Sequence, residues 1–299
     1  IGEILLLSDG RILIGTSDGL NLYDEYTDSF KRIFNDDRLS SQMIYSLDED
    51  LEGNIWVGTD NGLNKISKDS DEVIQYFNAQ SHNSIGENRI YEVYCDDDGF
   101  IWAGTFTKGA LRIDIKTGEI TNFYKNSWGL DTYPGEHIRD FYKDSNGTLW
   151  ICTNNGLIKY DDDKFTLYKK KIYDERSLVN DTVFTIIEDR TGMLWVGTYA
   201  GVSVFDSSNS IVHYKNDPFD TTTINDNMIQ SIYEDSAGYL WVGTHTKGVN
   251  ILDKDRKNIR TLNVEAGEII SGNRVNAIKG YKNFIFLGTN NGLNIIDIE

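Results

Sequence analysis

Residues able to carry out acid–base or metal chemistry are few in this chain and widely spaced. The four histidines are His82, His137, His213 and His245, and no two of them stand at a spacing typical of metal ligands. Neither a Ser-His-Asp arrangement nor a glycine-rich phosphate loop is recognisable. We therefore predict no catalytic residue, no metal site and no cofactor, and we expect that the chain is not an enzyme.

The two cysteines, Cys95 and Cys152, have neither CxxC spacing nor a histidine cluster beside them. This argues against a zinc site. We expect no disulfide between them, because they fall near opposite ends of their predicted strands. Their redox state stays open.

Acidic turns of the form Asp-x-x-Gly are a second candidate for chemistry, since carboxylates bind calcium. None of these turns offers the roughly six oxygen ligands that calcium prefers. Aspartate at the first position of a type I turn accepts a backbone hydrogen bond, and glycine at the fourth tolerates a positive φ. We therefore interpret them as structural turns, at Asp50 to Gly53, Asp96 to Gly99, Asp144 to Gly147, Asp189 to Gly192 and Asp235 to Gly238.

The turns belong to a longer unit that recurs along the whole chain. Its mark is a tetrapeptide of the type Trp-Val-Gly-Thr, whose last residue is Thr16, Thr59, Thr105, Thr153, Thr198, Thr244 and Thr289 in turn, at intervals of 43 to 48 residues. Around it, short β-branched and aromatic runs alternate with turn signals, which predicts four strands per unit.

Repeats of this length with four antiparallel strands indicate β-propeller blades, which bury their faces by stacking on one another. We predict an all-β fold, a single seven-bladed β-propeller over 1–299. The seventh blade lacks its outer strand, which gives 27 strands. The approximate blades are 1–41, 42–87, 88–135, 136–180, 181–226, 227–272 and 273–299.

Five of the six tryptophans occupy the tetrapeptide slot. A binding role for stacked indoles is conceivable, but the slot recurs mid-strand beside a glycine on the same strand face. We interpret these tryptophans as packing residues between blades. Cys152 replaces the glycine in the fourth unit, which predicts a small buried thiol.

The composition excludes several partners. With 47 acidic and 29 basic residues the formal net charge is −18, so nucleic acid and anionic membranes are poor partners. No apolar run is long enough for a membrane span.

The chain opens with Ile1 rather than Met, which we interpret as the start of an excised segment.

The motif Ile/Leu-Trp-Val-Gly-Thr followed by Asn-Gly-Leu closely resembles the two-component regulator propeller repeats. It is clearest from Ile55 to Leu63, Leu149 to Leu157 and Phe286 to Leu293. The resemblance implies an extracytoplasmic (periplasmic or cell-surface) sensor domain of a membrane-anchored bacterial signalling receptor. It also implies oligosaccharide or other small-molecule ligands, other receptor domains as partners, and a parent that could form a homodimer. Here there is one propeller and no output domain.

A ligand site is expected on the face that carries the inter-blade links. The residues just before each inner strand should ring the central channel there, with two arginines and a histidine forming a positive spot that suits a carboxylate or sulfate. Candidate ligand-binding residues on this face are Arg89, Phe106, Trp128, Tyr133, His137, Tyr199, His245 and Arg274. Two structural alternatives remain open: Trp128 as a loop anchor, and each arginine paired with an acid such as Glu87 or Glu136.

Two other functions compete with sensing. Streptogramin lyases resemble seven-bladed propellers with related repeats and use histidine with a metal, so a lyase-like enzyme is one alternative. The other is a protein-interaction platform, because more than half of the 47 acidic residues fall on turns predicted to share the opposite face. The structural interpretation of that acidic face is a solvated surface without a partner.

Overall fold

The computed structural model describes residues 1–34, 36–70, 72–76, 88–123, 135–206, 210–265 and 270–298. The chain divides into two compact units, one of Gly2–Phe141 and the other of Ile1 with Tyr142–Glu299. A single domain over 1–299 stays a prediction. One cooperative calorimetric transition for the whole chain would support it.

The first unit contains three antiparallel sheets, each of four strands that follow one another in chain order. Their strands are β1 (Glu3–Leu6), β2 (Ile12–Thr16), β3 (Gly19–Asp24), β4 (Ser29–Ile33), β5 (Ile44–Glu49), β6 (Ile55–Thr59), β7 (Gly62–Ile66), β8 (Val73–Tyr76), β9 (Ile90–Cys95), β10 (Phe100–Thr105), β11 (Ala110–Asp114) and β12 (Ile120–Phe123).

The fourth sheet starts with β13 (Ile138–Lys143), which begins in the first unit and ends in the second. The strands that follow are β14 (Leu149–Thr153), β15 (Gly156–Asp161), β16 (Lys164–Tyr168), β17 (Val183–Glu188), β18 (Leu194–Thr198), β19 (Gly201–Phe205), β20 (Ile211–Tyr214), β21 (Ile229–Glu234), β22 (Leu240–Thr244), β23 (Val249–Leu252), β24 (Ile259–Leu262), β25 (Val275–Tyr281), β26 (Phe284–Thr289) and β27 (Gly292–Asp297). The last three form a sheet of their own.

The predicted fold class is confirmed: the structure has seven antiparallel blades, of which the seventh has three strands. The predicted 27 strands are all present, and the described ranges contain no helix. In those ranges there is accordingly no helix long and apolar enough to cross a membrane.

The acidic turns are structural, as predicted. Asp50 accepts a hydrogen bond from Gly53 N–H to its carbonyl, and its Oδ1 accepts from the N–H groups of Glu52 and Asn54. Its Oδ2 accepts from the indole Nε1 of Trp56 at 2.9 Å. The same indole bond recurs at 2.8 to 3.1 Å from Trp102 to Asp96, Trp150 to Asp144, Trp195 to Asp189 and Trp241 to Asp235.

The tryptophan slot lies in the core, as predicted, because its five indoles are at most 6 % exposed. The glycine beside each indole allows the inner strand of the next blade to approach. A Cβ on Gly104 would lie 2.7 Å from Ile138, and one on Gly197 would lie 2.8 Å from Ile229. Cys152 fills this position in the fourth blade as a buried free thiol, which confirms the prediction.

Candidate functional site

A repeated backbone hydrogen bond joins the two sets of residues that the sequence marked as candidates. In each case the N–H group just after a tryptophan-slot strand donates to the carbonyl just before an inner strand. Phe106 donates to Arg89 at 3.2 Å, and His245 donates to Met228 at 2.9 Å. Further pairs of this kind are Asp60 with Met43, Tyr199 with Thr182, and Asn290 with Arg274. We call this repeated backbone hydrogen bond the frame. It recurs in these five pairs, while the side chains beside it differ from blade to blade.

A β-bulge adds a further residue to this frame. In β5, Ile44 and Ser46 pair with the consecutive residues Thr59 and Gly58, which leaves Tyr45 as an extra residue. The same shift recurs in β9, β17, β21 and β25, where the extra residues are Tyr91, Phe184, Gln230 and Asn276. Bulges interrupt pairing and re-aim side chains, and they are common beside binding sites.

In the first unit the frame and the bulges assemble a continuous row of rings. Tyr45 stacks on Tyr91 with ring centroids 5.4 Å apart, and Tyr91 meets His137 edge to face at 4.6 Å. His137 packs against Phe106 at 4.4 Å, and the guanidinium of Arg89 lies 4.6 Å from the centre of the Phe106 ring. We call these five residues the aromatic strip.

The strip is buried at its centre and exposed beside Arg89. His137 is 8 % exposed, whereas Phe106 is 36 % exposed. Burial, followed by repulsion from Arg139 and Arg89, lowers the pKa of His137 to about 3, so its imidazole is neutral. Burial also raises the pKa of the Tyr45 hydroxyl. Arg89 is therefore the charged end of an otherwise neutral surface.

A buried carboxyl group follows Tyr91 along the chain. Oε1 of Glu92 accepts a hydrogen bond from the Ser46 hydroxyl at 2.7 Å. Burial raises the pKa of Glu92 well above its ordinary value, and the charges of Asp140 and Glu3 raise it further. The inner strand beside the strip thus carries a carboxyl group that tends to keep its proton. The described residues contain no group of three or more His, Cys, Asp or Glu that could hold a metal ion.

The second unit carries the same frame with different side chains. Gln230, His245, Arg274 and Asn276, which we call the polar corner, replace the rings. Arg274 Nε donates to Asn276 Oδ1 at 2.9 Å, and Arg274 N–H donates to Asn290 Oδ1 at 3.2 Å. Tyr199 stands apart from the corner on its own frame pair and is 53 % exposed.

The structure thus brings Arg89, Phe106 and His137 together in one unit, and His245 and Arg274 in the other. Trp128 and Tyr133 lie outside the described residues, as does Glu87. The alternative in which each arginine pairs with an acid does not hold for Arg274. Among the residues that the structure describes, no carboxylate lies within 4.0 Å of its guanidinium. Its Nε donates instead to the amide oxygen of Asn276.

Sequence reasoning missed the bulge residues Tyr45, Tyr91, Gln230 and Asn276. The residue types alone do not mark these positions; in β5 the two residues after the bulge, Ser46 and Leu47, are both buried, which only the structure shows. Regular alternation would bury only one of such a pair. The same break follows the bulges in β17, β21 and β25 but not the bulge in β9.

Comparison with known families agrees with this frame. The family profile described as two component regulator propeller matches residues 84–107, 132–155, 177–200 and 223–246. The chain contains two component regulator propeller repeats. The first matched repeat includes Arg89, Tyr91 and Phe106, and the last includes Gln230 and His245. Each of these two repeats therefore covers one complete set of frame and bulge residues.

Known proteins resemble the chain in part or in fold. Histidine kinase P4 of Formosa agariphila is 28 % identical over 81 residues, which cover 27 % of this chain and 6 % of the kinase. The extracellular domain of a B. thetaiotaomicron protein assigned as a one component system has a TM-score of 0.73 and 21 % identity, covering 99 % of this chain and 39 % of that one.

Virginiamycin B lyase from Staphylococcus aureus has a TM-score of 0.69 and 15 % identity, covering 98 % of this chain and 92 % of the lyase. These structural likenesses establish the propeller fold alone. The chain spans well under half the length of the kinase and of the B. thetaiotaomicron protein.

Proposed function

We propose that this chain is the non-catalytic ligand-recognition module of a bacterial two-component or related signalling receptor. Its ligand is an oligosaccharide or another small molecule, bound on the surface that carries the inter-blade links. The module is extracytoplasmic, belongs to a membrane-anchored receptor, and has the receptor's other domains as partners. The parent receptor is a candidate homodimer.

The aromatic strip is the observation that carries this proposal. Phe106 presents part of a ring to solvent beside an arginine, and His137 behind it is neutral and buried. The C–H face of a sugar ring packs on such an aromatic surface, while guanidinium N–H groups donate to hydroxyl oxygens. The combination of apolar area with a few directed donors suits a saccharide better than a nucleic acid, given the charge of −18.

The family repeats and the receptor domains with the same fold support a sensing role. Four matched repeats are described as two component regulator propellers, and the similar B. thetaiotaomicron domain is extracellular. The likeness to a histidine kinase over 81 residues points to the same class of receptor.

The proposal is tested by calorimetric titration of the chain with a panel of oligosaccharides. We expect at least one to bind with measurable heat. Phe106→Ala should weaken that binding about fivefold, since an aromatic contact contributes about 1 kcal/mol. Phe30→Ala is the matched control, because Phe30 is a 47 % exposed phenylalanine of the same unit on outer strand β4. A panel without heat, or equal losses in both variants, would contradict the proposal.

Two alternatives have distinct signatures. The fold shared with virginiamycin B lyase favours an enzyme as the second candidate. Turnover of a cyclic lactone antibiotic that disappears in His137→Ala would support it. Salt-sensitive capture of a basic protein without any small ligand would instead support an interaction platform on the acidic turns.

A further inference from the structure

The polar corner of the second unit contains two buried side-chain nitrogens that have no hydrogen-bond partner among the described residues. Among the described residues, Nε2 of Gln230 and Nδ1 of His245 are buried without a hydrogen-bond partner. Buried polar atoms in native proteins are nearly always paired, and each exception calls for an explanation. Leaving such an atom unpaired destabilises the fold, so two in one corner call for a binding partner as their explanation.

Local structure places the residues that carry these atoms next to the inner strand that Arg274 precedes. The bulge in β21 makes Gln230 the extra residue, and the next residue, Ser231, donates its hydroxyl to Val275 O at 3.0 Å. Val275 stands between Arg274 and Asn276 in the neighbouring inner strand. The hydrogen bond from His245 N–H to Met228 O anchors His245 beside the start of β21.

Acidic groups near the corner are already engaged. Burial and the charge of Arg274 lower the pKa of His245, and the carboxylate of Asp226 opposes that lowering. Its Oδ1 accepts from Met228 N–H, and its Oδ2 accepts from both the N–H and the hydroxyl of Thr246. Arg274 uses its Nε for Asn276, while within the described ranges its two terminal nitrogens contact no hydrogen-bond acceptor.

From the terminal nitrogens of Arg274, the unpaired Nε2 of Gln230 and the His245 ring, which donates through Nδ1 when that nitrogen carries the proton, we infer that the polar corner is a binding subsite for an oxyanion, a carboxylate or sulfate group carried by a small solute. An oxyanion offers several acceptor lone pairs and a negative charge, and arginine binds such groups through two parallel N–H donors. A cation would be repelled by Arg274, and an apolar group would leave the donors unpaired. The inference stands on residues other than the aromatic strip and does not depend on saccharide binding there.

The order of contacts follows from exposure. Arg274 is exposed, whereas the two unpaired nitrogens are covered by protein atoms. An anion therefore meets the guanidinium first and reaches Gln230 and His245 after a side-chain rotation. That rotation removes the cost of the unpaired nitrogens, which favours the bound arrangement.

The test is an NMR titration of the ¹⁵N-labelled chain with sodium glucuronate, sodium sulfate and glucose at constant ionic strength. We expect the side-chain N–H signals of Arg274 and Gln230 to shift saturably with at least one anion and not with glucose. Preference for glucuronate identifies a carboxylate, and preference for sulfate identifies a sulfate ester; either supports the subsite.

Variants separate a specific subsite from general charge effects. Arg274→Gln should weaken anion binding about tenfold or more, as expected for loss of a charge-assisted pair. Arg176→Gln makes the same change at a side chain that is 83 % exposed in the same unit and should have no effect. Gln230→Glu should abolish binding by repulsion, and Gln230→Leu should weaken it without added charge.

Two results would overturn the inference. One is an anion response no greater than that to sodium chloride in the unmodified chain. The other is an equal response of Arg274→Gln and Arg176→Gln in samples with unchanged circular dichroism. Phe106→Ala should leave anion binding intact, so failure here is distinguishable from failure of the saccharide proposal.

Discussion

At the scale of single residues, one aspartate per repeat joins a turn to the core. Asp235 is 3 % exposed, accepts from Tyr239 N–H through Oδ1, and accepts from the Trp241 indole through Oδ2. The carboxylate thus satisfies a buried indole N–H and a partly buried backbone N–H. This explains why the turn begins with aspartate in five repeats, each six residues before the tryptophan.

Asp235→Ala should therefore lower the free energy of unfolding by about 3 kcal/mol, because it leaves buried donors unpaired. Urea denaturation followed by tryptophan fluorescence measures this loss. Asp255→Ala changes an exposed turn aspartate in the same blade and should stay within about 0.5 kcal/mol of the unmodified chain. Equal losses in the two variants would disprove the role given to Asp235.

His137 gives a prediction about pH. Its folded pKa of about 3 lies below the value of about 6.5 in an unfolded chain. As the pH falls below 6.5 the unfolded chain takes up a proton that the folded chain refuses, so stability decreases from there towards pH 3. The contribution of the neutral imidazole is complete above about pH 6.5.

His137→Gln should flatten that part of the pH profile, since glutamine does not titrate. Urea midpoints of both proteins between pH 7 and pH 4 measure the difference. The comparison isolates His137, because the lowered pKa values of His213 and His245 act in both proteins. An imidazole signal of His137 that titrates near pH 6.5 would contradict the account.

At the scale of elements, the inner strands position the side chains that we propose as ligand contacts. Sequence patterns were sufficient for the strands, the acidic turns and the tryptophan slot, because each rests on local preferences repeated five to seven times. The positions of Tyr91 and Gln230 depend instead on how β9 and β21 pair with their neighbours. Pairing between strands is not a local property, so these residues became candidates only in the structure.

The aromatic strip shows the same limit. The sequence named Arg89, Phe106 and His137 but treated them as separate positions around an opening. Their contacts depend on the cross-strand bond from Phe106 to Arg89 and on the ring of Tyr91. Neither is readable from spacing along the chain.

Strand β27 offers a test of the incomplete seventh blade. None of its residues is fully buried, whereas the corresponding strands β19 and β23 are buried throughout. No strand of the described residues pairs with its outer edge. Hydrogen exchange should therefore be much faster at the β27 amides that point away from β26 than at the amides of β23. Equal protection of the two strands would contradict this.

At the scale of the whole molecule, the proposed recognition is distributed over repeats. Each unit presents variable side chains on the same frame, aromatic with one arginine in the first and polar in the second. The net charge of −18 disfavours polyanions at long range, so a single oxyanion must rely on local donors. A repeated frame allows new ligands to be accommodated by changes at few positions, without disturbing the blades.

The most direct test of the account is a crystal structure of the chain with the oligosaccharide that binds most tightly in the titration panel. We predict a sugar ring within about 4 Å of the Phe106 ring, the usual packing distance, and a hydroxyl oxygen accepting a hydrogen bond from Arg89. Electron density for the saccharide on the acidic turns or the outer strands, with Phe106 and Arg89 untouched, would contradict the account.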